Sequence, residues 1–287
     1  MNGTTMIKKL LGALAMTMAC TVAGAAGSDY PLDKAPRQVN DIASLQNGAK
    51  LFVNHCLNCH SASSMRYNKL AEIGLTDDQI RDNLLFTGER VGDMMRIAMV
   101  PADASKWFGT TPPDLSVIAR AKSVNAGPSG ADYIYTYMRA FYRDTTKATG
   151  WNNLVFPNVG MPHVLWNAQG PRELTQVVVH EAAGQDGSKG WERVTTTYDA
   201  QGYAAVQREP LAGYTGHGSV EQRFKALNQA QSNQYDRDVA DLTNFMSWMA
   251  EPNQLQRKRL GVWVLLFLGI FLVVAWRLNA SYWKHVK

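Results

Sequence analysis

The chain has 287 residues, 46% of them hydrophobic and 18% charged, enough to bury the core of one large or two small domains. Its formal charge of +5 hides an asymmetry: all 24 acidic residues but only 21 of the 29 basic ones lie between residues 27 and 256. That central region is net −3, which argues against a nucleic-acid partner and is compatible with a basic soluble one.

Residues 1–26 carry Lys8 and Lys9, an apolar stretch from Leu10 to Val22, and the small residues Ala23, Gly24, Ala25 and Ala26. This is the three-part pattern of a secretory signal peptide, and the apolar run is too short to span a bilayer. Cys20 falls inside it, so export leaves Cys56 and Cys59 as the remaining cysteines. From Asp41 to His55, Leu45, Ala49 and Phe52 recur at helical spacing and predict a helix ending at the cysteine pair.

Cys56-Leu57-Asn58-Cys59-His60 is the pattern by which two thiols form thioethers with the haem vinyl groups while the adjacent imidazole ligates the iron. A four-cysteine zinc site is excluded, because no second pair exists. A redox dithiol would need a thioredoxin-like βαβ context, and a structural disulfide leaves His60 without a role. The haem is therefore a single covalent haem c with His60 on one axial side.

Farther along, residues 74–87 predict a short helix with Asp77 as N-cap and Ile80, Leu84 and Leu85 on one face. Pro112-Pro113-Asp114-Leu115 fixes an extended entry to a helix capped by Asp114 and carrying Arg120. A guanidinium there suits a haem propionate, and it equally suits an ordinary exposed helix position. Asp132 is read as the start of an aromatic helix reaching about Tyr142. Its Tyr133, Tyr135, Tyr137, Phe141 and Tyr142 either wall a cofactor pocket or pack the core.

For the second axial ligand, Met161 leads, because Gly160 and Pro162 make a rigid turn that can present a thioether. Met94, Met95 and Met99, and the nitrogen of His163, remain open alternatives. Residues 171–234 change texture, with β-prone runs at Thr175–His180 and Val194–Tyr198 between Gly-rich turns, and predict a hairpin-like insertion. Asp236 to Met249 predicts a helix that stops at Glu251-Pro252.

Leu260 to Trp276 contains no charge and is long enough to span, with Arg259 and Arg277 at its edges and Trp276, Tyr282 and Trp283 as interfacial anchors. The expected organisation is a signal peptide at 1–26, an exported haem domain at 27–256, a transmembrane anchor at 257–279 and a cytoplasmic tail at 280–287. Flanking charges are balanced, so the signal peptide sets the orientation, placing the haem domain in the periplasm of a bacterium and the anchor in the inner membrane.

An ordered series of motifs now resembles the cytochrome c1 family, the haem subunits of ubiquinol-cytochrome c reductase. It runs from the cysteine motif through Arg66-Tyr67, Phe86-Thr87-Gly88-Glu89, Pro112-Pro113-Asp114-Leu115-Ser116 with Arg120, and Gly160-Met161-Pro162. It closes with Trp248-Met249-Ala250-Glu251-Pro252 leading through Arg257-Lys258-Arg259 into the last helix.

The resemblance implies a mainly α cytochrome c-type domain with long loops, the hairpin-like insertion and one C-terminal transmembrane helix. It also implies thioethers at Cys56 and Cys59, axial ligands His60 and Met161, and Arg120 as a propionate partner. The implied electron donor is a Rieske iron-sulfur protein, the acceptor a soluble cytochrome c or equivalent, and the membrane neighbour cytochrome b. The chain is thus expected to be an electron carrier within the reductase and not its quinol-oxidising site. The Asn152-to-Pro157 stretch only approximates the family pattern, and no further cysteines are present to brace the Met161 loop.

Overall fold

A computed structural model of the chain describes residues 30–183 and 189–285. The expected signal peptide at 1–26 lies outside the described residues.

Helix α1, Ile42–Leu51, begins where the Asp41 side chain accepts hydrogen bonds from the amides of Ala43 and Ser44. It buries Leu45, Gly48 and Ala49, a stripe at i, i+3 and i+4. Its continuation is a π-helical turn, Phe52–Cys56, that delivers the cysteine motif. Strand β1, Ala62–Arg66, follows, then a 3₁₀ segment, Tyr67–Ile73, and helix α2, Asp77–Asn83. The cap of α2 is Thr76 and not Asp77: the Thr76 hydroxyl accepts from Gln79 N while the Gln79 side chain accepts from Thr76 N.

Strand β2, Met94–Met95, pairs antiparallel with β1, and helix α3 covers Pro101–Phe108. The helix expected from Asp114 is a single turn, α4, Ile118–Ala121, without a side-chain cap. Helix α5, Gly130–Arg139, is capped by Ser129, and Asp132 occupies the third position of that capping box. The chain then leaves the helix, and Phe141–Arg143 (β3) pairs with Trp151–Asn153 (β4).

After the short α6, Trp166–Gln169, the insertion proves larger than a hairpin. Arg172–Ala183 (β5), Lys189–Tyr198 (β6), Ala204–Pro210 (β7) and Ser219–Ala226 (β8) form an antiparallel sheet in the order β7-β6-β5-β8. Helix α7 starts at Gln229, so the last residues of the expected 171–234 excursion belong to it; it runs Gln229–Ala250. Helix α8, Gln254–Tyr282, follows after a three-residue break and has no buried residue against the rest of the chain. At ~1.5 Å per residue it is about 43 Å long, more than the ~30 Å hydrocarbon core.

The core is built around α1 and α7. Phe52 and Phe245 are fully buried with ring centroids 5.5 Å apart, and burying two such rings contributes about 1.5–3 kcal/mol each. Polar groups fix the register: Asp241 accepts from Ser44 Oγ at 2.6 Å and Asn47 Nδ2 at 2.8 Å. At the far side Arg139 joins three segments, bonding Asp236 of α7 through Nε at 2.7 Å and Nη2 at 3.2 Å, and Asp33 through Nη1 at 2.6 Å.

Candidate functional site

The cysteine motif sits where the helix widens. Leu57 N donates to Phe52 O at 3.0 Å, an i→i+5 bond, and the chain then tightens as Cys59 N and His60 N both donate to Cys56 O. Cys56 is 8% exposed and its thiol is pushed up to about 12, first by burial and then by the neighbouring Cys59. Cys59 is half-buried, and both thiols are free.

His60 Nδ1 lies 2.7 Å from Pro113 O. A carbonyl can only accept, so Nδ1 carries the hydrogen and Nε2 keeps its lone pair. Burial holds the imidazole pKa below its ordinary value, against the opposing effects of Pro113 and Asp114, which favours the neutral, ligating form.

Asp114 does not cap a helix; it pins the Pro-Pro-Asp-Leu-Ser segment to β1. It accepts from Ser63 N at 2.8 Å, from the Ser63 hydroxyl, and from Ser116 N at 2.8 Å. Leu115 N donates to Ser61 O, and Ser64 N to Ser116 Oγ. Burial alone would raise the Asp114 carboxyl, but bonds from Ser116 and Ser63 outweigh it and hold it below the usual range. This strap places the Pro113 carbonyl over His60. The composition of the motif showed the histidine; the backbone acceptor that orients it carries no sequence signal.

Met161 is half-buried against the main core, and Tyr137 Oη lies 3.5 Å from its Sδ. Tyr137 comes from α5, stacked on Tyr133 with centroids 5.9 Å apart, and burial raises its pKa. The Met161 loop is braced without a disulfide: Asn152 Oδ1 accepts from Asn158 N at 2.8 Å, and Lys147 Nζ donates to Asn158 Oδ1 at 2.7 Å. Asn158 holds φ 60°, a left-handed conformation that Asn tolerates better than most residues.

Met95 is fully buried in the core and Met94 pairs opposite Arg66 in the β1–β2 ribbon. His163 is buried, stacked on Phe141 at 4.7 Å, with Trp151 and Tyr235 against its edges. Arg120 is 62% exposed and lies 3.4 Å from Glu251, which also pairs with Arg257 at the root of α8. Glu251, which the sequence marks as part of the junction motif, thus links Arg120 to the root of the anchor.

Two free thiols beside an imidazole whose Nε2 keeps its lone pair, together with a braced loop that carries a thioether, form a donor set that fits haem c. Joined to a mainly α domain that ends in one bare apolar helix, they define a membrane-anchored c-type cytochrome. The comparison with known sequences narrows the class. The chain belongs to the cytochrome c1 family, whose sequence model matches residues 33–173 and 222–286 and thus passes over most of the insertion.

Among its relatives, cytochrome c1 of Allochromatium vinosum is 38% identical over 98% of this chain and 100% of its own length. The ammonia monooxygenase gamma subunit of Nitrosomonas europaea is 41% identical over 98% of this chain and 99% of its own. A cytochrome b/c1 of Bradyrhizobium diazoefficiens is 24% identical over 80% of this chain, which covers 31% of that longer protein. As a cytochrome c1, the chain is an electron-transfer subunit of a cytochrome bc1 complex with cytochrome b, carries covalent haem c, and is held to the membrane by its apolar C-terminal helix.

Proposed function

We propose that this subunit carries one haem, bonded through Cys56 and Cys59, with His60 Nε2 and Met161 Sδ as its axial ligands. The bound haem supplies one-electron Fe(III)/Fe(II) exchange. The observation that carries the reading is the 2.7 Å contact from His60 Nδ1 to Pro113 O. It selects the tautomer, holds the ring plane and makes Nε2 more basic, as partners of a ligating histidine commonly do. Met161 completes the pair with a soft donor that favours Fe(II), raising the potential. Arg120, 62% exposed beside Glu251, would hold a haem propionate by a charge-assisted bond.

Electrons enter from a Rieske iron-sulfur protein and leave to a soluble cytochrome c or equivalent, whose basic surface would complement the net −3 of residues 27–256. Residues 1–26 direct export, 27–256 stand in the periplasm with 171–234 as an insertion, 257–279 span the inner membrane, and 280–287 remain in the cytoplasm. The chain supplies the electron-carrying part of the reductase enzyme, and quinol oxidation takes place on other subunits.

Covalent attachment tests the reading. The double variant Cys56→Ala/Cys59→Ala should give no haem-stained band on a denaturing gel, because coordination by His60 alone leaves the cofactor extractable. A persisting band would place the attachment elsewhere.

A further inference from the structure

One polar contact reaches the Met161 sulfur. Tyr137 Oη lies 3.5 Å from Met161 Sδ, within hydrogen-bond reach of an atom as large as sulfur, and among the described residues it is the hydroxyl's only hydrogen-bond partner. A thioether has lone pairs and no hydrogen, so the phenol is the donor. A packed tyrosine ordinarily finds an oxygen to bond, and here it is given a weaker acceptor.

Several neighbours hold the two atoms in place. The Tyr137 ring is stacked on Tyr133 at 5.9 Å and set edge-on to the fully buried Phe141 at 5.2 Å, which fixes where its hydroxyl points. Asn153, 1% exposed, ties the same residue to the loop that carries the sulfur. Its Nδ2 donates to Tyr137 O at 2.8 Å, while its Oδ1 accepts from Val155 N at 2.9 Å and Phe156 N at 3.1 Å. On the loop's other side Gly160 lets the end of α3 come close, since a Cβ there would meet Phe108 O at 3.2 Å.

We propose that Tyr137 is the positioning residue of the second axial ligand: its hydroxyl donates to Met161 Sδ, occupies one lone pair and leaves the other for the iron. The inference rests on Met161 being that ligand. A sulfur that shares density with a hydrogen is a weaker donor, and Fe(III), the harder ion, loses more by it than Fe(II). The bond therefore raises the reduction potential beyond what the thioether does alone, as groups behind a metal ligand commonly tune it.

The test is a double-mutant cycle of Tyr137→Phe and Met161→Leu in the full-length, haem-loaded protein, read by redox titration and by the visible spectrum. Tyr137→Phe removes one oxygen and keeps the ring stack, so haem loading and a low-spin spectrum should persist. At a fixed solution potential its ratio of reduced to oxidised haem should fall at least threefold, about 28 mV at the ~59 mV per tenfold of a one-electron couple. In the Met161→Leu background the same substitution should change nothing, because no sulfur is left to accept the hydrogen. 3-Fluorotyrosine in place of Tyr137, a more acidic phenol of nearly the same size, should move the ratio the other way, and it decides the matter should Tyr137→Phe fail to load haem.

If Met161→Leu shifts the potential while neither change at Tyr137 does, the proposal is overturned and the ligand assignment stands. A Tyr137→Phe shift of equal size in both backgrounds also overturns it, since the hydroxyl would then act through the polarity of its surroundings and not through the sulfur. An unchanged potential and spectrum in Met161→Leu removes the ligand assignment, and the proposal with it.

Discussion

The Pro113 carbonyl does for His60 what no side chain in the motif could do. It fixes the hydrogen on Nδ1 and so decides which nitrogen is free. The thiols, His60 and Met161 are legible in the sequence because each is a residue type with characteristic chemistry at a characteristic spacing. Pro113 O, the Asp114 strap and the Tyr137 contact are not, because they are tertiary placements of groups that every sequence contains.

Asp132 shows the same limit. It reads as a helix start, yet it is fully buried and accepts from Ser129 N, Ala35 N and Lys34 Nζ, all at 3.0 Å. Burial would raise its carboxyl, but the bonds from Ala35, Ser129 and Lys34 outweigh it and hold the pKa below the usual carboxylate range. A carboxyl depressed by folding contributes stability that is present above its unfolded pKa and lost as the pH falls through its folded one. Asp132→Asn should therefore cost about 1–2 kcal/mol at pH 7. Denaturant titrations should show the gap to wild type closing as the pH is lowered below about 4. A gap independent of pH would mean that shape and not charge matters there.

The helices were visible as elements and displaced at their ends. Period-3.6 stripes mark α1 and α7, whereas the caps of α2 and α5 moved one and three residues upstream, to Thr76 and Ser129. Acidic residues belong in the first turn as well as at the cap, so Asp77 and Asp132 mimic the signal from inside the helix. Strand β7 escaped notice because it is exposed along its whole length, and β8 because only Gln222, Phe224 and Ala226 are half-buried, one of them polar; both carry charges, such as Arg208 and Lys225 paired to Glu192 and Glu173 across the sheet. An edge strand of this kind has no apolar alternation to read.

The α1–α7 contact depends on one glycine. A Cβ at Gly48 would meet Asp241 O at 2.2 Å and Phe245 Cβ at 2.6 Å. Both are parts of a rigid helix, so Gly48→Ala must push the pair apart, at a cost of about 2 kcal/mol or more. Thermal melts followed by circular dichroism should show a clear fall in melting temperature; an unchanged melt would mean that the helices can separate freely.

For the molecule as a whole, the anchor follows the core after the short break beyond α7, and the Arg120–Glu251–Arg257 link and the bond from Gln254 Nε2 to Ser247 O tie its root to the domain. A chain ending at Gln256 should accordingly accumulate as a red, soluble periplasmic protein, and fractionation that kept it in washed membranes without other subunits would contradict the anchor assignment. The family model steps over residues 174–221, which hold most of the sheet.

What distinguishes an electron carrier from a haem enzyme is the occupancy of the second axial position, which the proposed ligand set gives to Met161. Met161→Leu keeps a similar volume, so the loop braced by Asn152 and Lys147 should hold its shape and the haem should stay attached. Redox titration of this variant is expected to show a midpoint potential lower by at least about 100 mV, roughly 2.3 kcal/mol for one electron, with a changed low-spin spectrum. An unchanged potential with an unchanged spectrum would remove Met161 from the iron and turn attention to Met94, Met95 and Met99.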